Sequence, residues 1–143
     1  MIIRQVLRTQ ALDKKFRRLV NNSTRLKPAL IQIGGVLEDA SETAFDRQGP
    51  GWKRLSPKYK KQKAKKFGAG KKILEGESGL LKGSVNSGIR GKVIAIGSGL
   101  EYARTHQQGD KSRKIPARPF LIISEAEIFK AKNILHRHLV KGI

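Results

Sequence analysis

The stretch Ile115-Pro116-Ala117-Arg118-Pro119-Phe120-Leu121 restricts the fold of this chain more than any other. Each proline fixes its own φ at about −65° and pushes the residue before it, Ile115 or Arg118, into an extended conformation. Residues 115–121 are therefore expected as one stiff, non-helical segment that Phe120 and Leu121 anchor to the core. Arg118 lies between the prolines with little backbone freedom, so its planar guanidinium can be aimed at carbonyls or a carboxylate at small entropic cost. An arginine held in this way either braces the fold from within or contacts a neighbouring subunit or nucleic acid.

Helical spacing dominates the rest. Ile3, Val6, Leu7 and Ala11 with Phe16, Leu19 and Val20 form one stripe over residues 2–20, and Arg4, Arg8, Lys14, Lys15, Arg17 and Arg18 cover much of the remaining surface. Residues 1–22 thus read as a basic helical extension that breaks at Asn21-Asn22-Ser23-Thr24. A second helix is predicted from Leu26 to Phe45, with Leu30, Ile33, Leu37, Ala40 and Ala44 inward and Pro28 tolerated in its first turn. Gly34-Gly35 weakens its middle, because a glycine costs roughly 1 kcal/mol against alanine in a helix interior.

Ser56-Pro57, an N-cap followed by a first-turn proline, opens a short helix through Lys66, which Phe67-Gly68-Ala69-Gly70 ends. Residues 81–89 and 92–97 read as two strands around Arg90-Gly91. The second carries apolar groups on both faces and is expected at the centre of its small sheet. A short helix over residues 100–108 follows, with Gly109 as a left-handed cap. Ser124-x-x-Glu127 is a capping box for a last helix whose apolar face is Ile128, Ala131, Ile134, Leu135 and Leu139. The expected product is α+β and a single domain over residues 1–143: two N-terminal helices, a small antiparallel β-sheet, a short helix and a closing C-terminal helix.

The formal net charge is +20, unevenly spread. No acid occurs between Asp46 and Glu75, whereas Arg47, Lys53, Arg54 and eight further lysines fall there. Residues 47–72 therefore read as a lysine-rich insertion that is mobile on its own unless something negative screens it. Lysine is a point charge suited to phosphate backbones without sequence reading. Lys58, Lys60, Lys61, Lys63, Lys65, Lys66, Lys71 and Lys72 are accordingly the candidate polyanion contacts. The same charges would also serve solubility or an acidic protein partner. Gln48-Gly49-Pro50-Gly51 is turn chemistry that delivers Trp52, the only tryptophan, to a fixed place as a core anchor or a base-stacking platform.

Several chemistries find no residues to carry them. There is no run of 18 apolar residues for a membrane span, and Met1-Ile2-Ile3-Arg4 lacks the apolar core of a signal peptide, so the protein is expected to stay in the cytoplasm where it is made. Cysteine is absent, and with it disulfides, thiolates and the usual zinc ligands. His136 and His138 are two apart on a helix and point in different directions, with no carboxylate cluster to complete a metal set. Gly68-Ala69-Gly70-Lys71-Lys72 fails as a phosphate-binding loop because no Ser or Thr follows the lysine. No catalytic residue, cofactor or metal is assigned, and no enzymatic activity is expected. Tyr102 and His106, four apart, share a helical face on which they pack and hydrogen-bond or meet a subunit.

Glu101-Tyr102-Ala103-Arg104-Thr105-His106-Gln107-Gln108-Gly109 together with residues 115–121 resembles the signature of the phage virion morphogenesis (tail completion) family of Mu-like phages and prophages. Members of that family carry Tyr-Ala-x-x-His-Gln-x-Gly and then Pro-Ala-Arg-Pro-Phe-Leu. Pro50-Gly51-Trp52-Lys53-Arg54-Leu55 is similar to the family's Pro-x-x-Trp-x-x-Leu, and Ile73-Leu74-Glu75 with Ser78-Gly79-Leu80-Leu81 is similar to its Ile-Leu-x-x-(Ser/Thr)-Gly-x-Leu, both with altered spacing. The resemblance implies a structural protein of the virion, present in the bacterial host cytoplasm during assembly, that completes the tail or neck at the head–tail junction. Its implied partners are other phage tail or neck proteins, further copies of itself in a ring, and the DNA backbone in the channel, with no membrane and no small-molecule substrate. Trp52, Tyr102, His106, Gln107, Gly109, Arg118, Pro119 and Phe120 then become subunit-interface candidates. The alternative, a free basic protein that binds nucleic acid without sequence preference, accounts for the charge but gives the two signature segments no reason.

Overall fold

Eight elements follow one another in the computed structural model, which describes residues 10–76 and 79–142. They are α1 (Gln10–Thr24), α2 (Lys27–Asp46), α3 (Pro57–Phe67), α4 (Leu80–Gly83), β1 (Val85–Arg90), β2 (Val93–Ser98), α5 (Glu101–Gln108) and α6 (Glu125–Leu139). The class is α+β, with helices at both ends of a small antiparallel sheet. Residues 2–9 of the expected first helix, and Ser78, lie outside the described residues.

The first helix does not break at residues 21–24 but continues through Thr24. The polar side chains that suggested a break find partners without leaving the helix. Ser23 and Thr24 donate back to the carbonyls of Val20 and Asn21 at 2.7 and 2.8 Å. The Asn22 amide donates to the carbonyls of Leu139 and Lys141 at 2.9 and 3.1 Å, which pins α1 to the end of α6.

Helix α2 runs close to its expected limits and belongs to both halves of the core. Ala29, Leu30, Ile33 and Leu37 pack with Ile134 of α6 and with Ile89, Ile94 and Ile96 of the hairpin. Phe45, near the other end, packs with Trp52, Leu81, Ala103 and Phe120. The first glycine of the pair in the middle has a physical reason, whereas a Cβ on Gly35 would meet nothing. A Cβ on Gly34 would collide with the Ser87 hydroxyl and come within 3.1 Å of Ile94 Cδ1, so the hairpin crosses α2 where only glycine leaves room.

The hairpin pairs Val85 with Ser98 through Arg90 with Val93. Two expectations are corrected here. Residues 81–84 are a short helical turn rather than strand, because Leu81 is drawn into the second core cluster and the Ser84 hydroxyl donates to its carbonyl at 2.8 Å. β2 is not central, since the sheet has two strands. Ile94 and Ile96 supply its packed face, while Val93 is 65% exposed and the small Ala95 needs no cover on the other.

Helix α3 forms as the Ser56-Pro57 pair dictates, with the Ser56 hydroxyl accepting from the Tyr59 amide at 3.3 Å. Most of its lysines face water, but Lys63 is 6% exposed and its ammonium donates to the carbonyls of Ile73, at 2.7 Å, and Lys72. At the other end of the chain the predicted capping box opens α6: Ser124 accepts from the Ala126 amide, and Glu127 accepts from the Ser124 amide at 3.0 Å.

Candidate functional site

The two signature segments fold against each other. Helix α5 stops at Gly109, whose φ of 78° and ψ of 174° give a positive-φ extended turn instead of the expected left-handed cap. The turn lets the chain double back, and Asp110 and Ile115 exchange amide–carbonyl bonds of 2.8 Å each way. A Cβ at Gly109 would lie 2.7 Å from the Ala117 amide nitrogen, so glycine is required by proximity as well as by φ.

The proline-stiffened segment then runs back along α5, held at successive points. The Arg118 amide donates to the His106 carbonyl at 2.7 Å. The Gln107 side-chain oxygen accepts from the amides of Phe120 and Leu121 at 2.9 and 3.0 Å, and its nitrogen donates to the Leu121 carbonyl at 3.3 Å. A single glutamine therefore plays the part of a neighbouring strand for a segment whose prolines cannot donate.

Trp52 donates its indole N–H to the Pro119 carbonyl at 2.8 Å. The Arg118 guanidinium donates from Nε and from one terminal nitrogen to the Lys53 carbonyl at 3.1 and 3.0 Å. The Gln48–Leu55 turn is thereby tied to residues 118–119 from both sides. Phe45, Trp52 and Phe120 fill the space behind: the Phe45 ring is 5.0 Å from Phe120 and 6.0 Å, edge to face, from Trp52.

Of the two roles open to Trp52, Arg118 and Phe120, the geometry favours the internal brace: they are 7%, 7% and 1% exposed within this chain. Of the remaining interface candidates, Gln107, Gly109 and Pro119 work inside the knot, and Tyr102 stays 43% exposed. The polyanion candidates divide in the same way. Lys63 is enclosed, Lys71 pairs with Glu75 at 3.3 Å and Lys72 with Asp46 at 2.8 Å, whereas Lys58, Lys60, Lys61, Lys65 and Lys66 are exposed. The clamping role of Gln107 and the burial of Lys63 were missed in the sequence. A glutamine in the last turn of the helix that precedes a two-proline segment is the only signal that could have found the first.

His106 is half-buried, its ring edge-on to Tyr102 at 6.0 Å and its Nδ1 without a hydrogen-bond partner. Burial above all, and then the charges of Arg118, Arg113 and Lys63, hold its pKa below the ordinary histidine range. The folded state therefore keeps His106 neutral while the unfolded chain takes up a proton below a pH of about 6.5, so stability is full above that pH and is lost as pH falls. The urea midpoint is expected to drop between neutral pH and pH ~5.5, and the drop should shrink in His106→Gln. An undiminished drop in that variant would assign the effect to another group.

Among the described residues no group of three or more His, Asp or Glu side chains could hold a metal ion, and no helix is long and apolar enough to cross a membrane. Fold and site define a small basic α+β scaffold, organised around a proline segment clamped to a short helix. The chain belongs to the phage virion morphogenesis family, whose pattern matches residues 7–140. It is 31% identical over 138 residues to the Mu-like prophage FluMu G protein 1 of Haemophilus influenzae, covering 92% of this chain and 90% of that protein. It is also 33% identical over 93 residues to the uncharacterized protein MJ0331 of Methanocaldococcus jannaschii, covering 63% of this chain and 68% of that one. No solved structure matches it significantly. Its role lies in phage structure and morphogenesis, in association with the virion.

Proposed function

We propose that this chain completes a phage tail or neck at the head–tail junction, acting as a structural component and not as a catalyst, by assembling with further copies of itself into a ring. The observation that carries this reading is on α1. Leu12, Phe16 and Val20 stand four residues apart on one helical face and are 53%, 57% and 58% exposed, and no residue of α1 is buried. A row of large apolar side chains left in water is what a subunit contact covers.

A second copy fits that row by charge. Lys14, Lys15, Arg17 and Arg18 accompany it, and another helix of the same molecule, α2, exposes Asp39 and Glu42, the latter also paired with Lys82 at 2.9 Å. A contact between unlike faces is heterologous and closes into a ring when its rotation permits. Tyr102, still partly exposed on α5, offers a second point of contact whose position the buried clamp fixes.

The double variant Phe16→Asp/Val20→Asp tests this. Both positions are exposed, so the helical circular dichroism should stay as in the wild type while light scattering reports a fall from oligomer to monomer. Phage carrying the variant should accumulate heads and tails that do not join. Oligomers of wild-type mass together with a normal infectious yield would refute the proposal.

A further inference from the structure

A cavity of about 680 Å³ opens between α3 and the turns on either side of it, with Arg47, Arg54, Lys60, Lys63 and Lys71 around Trp52. Its lining contains no acidic side chain. We infer that this cleft is a binding site for the phosphodiester backbone of DNA. The inference deepens the reading of the chain as a tail-completing protein, in which DNA is a neighbour, but stands on its own observations.

The first is that the charge is uncompensated. Lys71 has Glu75 at 3.3 Å and Lys63 has the carbonyls of Lys72 and Ile73, but among the described residues Arg47, Arg54 and Lys60 form no salt bridge. Five cations around one concavity repel one another. Burial first, with Arg118 and Lys71 adding to it against Glu75, pulls Lys63 below the ordinary lysine range. An anion in the cleft relieves all of them together.

The second is that the one aromatic side chain of the cleft is not free to anchor a peptide. Protein partners bind chiefly through apolar anchors seated in pockets. Here Trp52 is already buried and its N–H already given to the Pro119 carbonyl. A nucleic-acid backbone draws its affinity from charge alone. Lys58, Lys61 and Lys65 lie on the other side of α3, about 140° round the helix from Lys60, Lys63 and Ala64, so the site consists of the cleft's own cations.

The test is fluorescence anisotropy with a labelled duplex oligonucleotide of mixed sequence, on the full chain. Wild-type protein should bind, losing roughly 100-fold in affinity between 50 and 200 mM salt if about four phosphates are engaged. Arg47→Glu/Arg54→Glu/Lys60→Glu should bind at least tenfold more weakly and with a shallower salt dependence, and Arg47→Gln/Arg54→Gln should lie between. Equal binding by wild type and the triple variant would overturn the site. So would a poly-glutamate of matched charge that binds wild type as tightly as DNA and depends on the same three cations, since the cleft would then serve an acidic protein. Oligomer mass measured on the same samples separates this from the assembly proposal: the triple variant should keep wild-type mass, whereas Phe16→Asp/Val20→Asp leaves every cation of the cleft in place.

Discussion

Replacing Phe120 by alanine is expected to destabilise the protein by about 3–5 kcal/mol, the usual cost of removing a buried aromatic ring from a packed core. Phe120 is 1% exposed, stacks on Phe45 at 5.0 Å and closes the cluster that also holds Trp52, Leu81 and Ala103. Little backbone motion could collapse the void, because the prolines stiffen residues 115–121 and the amide of Phe120 is fixed by Gln107 at 2.9 Å. For a chain of this length the thermal midpoint should fall by roughly 10–15 °C. Phe120→Leu, which keeps most of the volume, should recover the greater part of that loss. A midpoint for the alanine variant within a few degrees of wild type would mean that the cluster is not what holds the signature segments together.

The second large effect is expected at Gln107. Its replacement by alanine removes three hydrogen bonds and leaves the amides of Phe120 and Leu121 without their acceptor in a part-buried position. An unsatisfied buried group costs about 1–3 kcal/mol, so a loss of roughly 2–4 kcal/mol is expected in urea unfolding. Gln107→Glu separates the terms. It keeps the acceptor for the two amides but sets a carboxylate oxygen against the Leu121 carbonyl, and should fall between wild type and alanine. If the glutamate variant proved the worse of the two, the donor to Leu121 and not the acceptor would be the stabilising half.

Local rules found most of the elements. The proline segment, the Ser56-Pro57 start of α3, the Ser124–Glu127 box and the stripe of α2 are each set by residues within one or two turns of one another, and each is present. Family membership was likewise legible in residues 101–121. What escaped depends on partners distant in the chain. Asn22 looked like a helix breaker until the carbonyls of Leu139 and Lys141 gave its side chain a use. Gly34 looked like a weakness until the hairpin arrived beside it. Lys63 looked like any other lysine of its block, and only the carbonyls of Lys72 and Ile73 set it apart.

The site was left open for a related reason. A tryptophan, an arginine and a phenylalanine in the family's motifs read as contact anchors or as internal braces, and spacing cannot choose between them. Burial makes them braces. The surface they leave outside is Tyr102 on α5, and the stripe left exposed among the described residues lies far off in sequence, on α1.

Helix α2 supplies side chains to both packed clusters over its 20 residues, a rod about 30 Å long. The hairpin rests on one portion and the clamped segment on the other, so the bearing of each relative to the other is set by a single stiff axle and not by a hinge. In the ring proposed above, angular error per copy would accumulate around the circuit, and an undivided axle would keep it small.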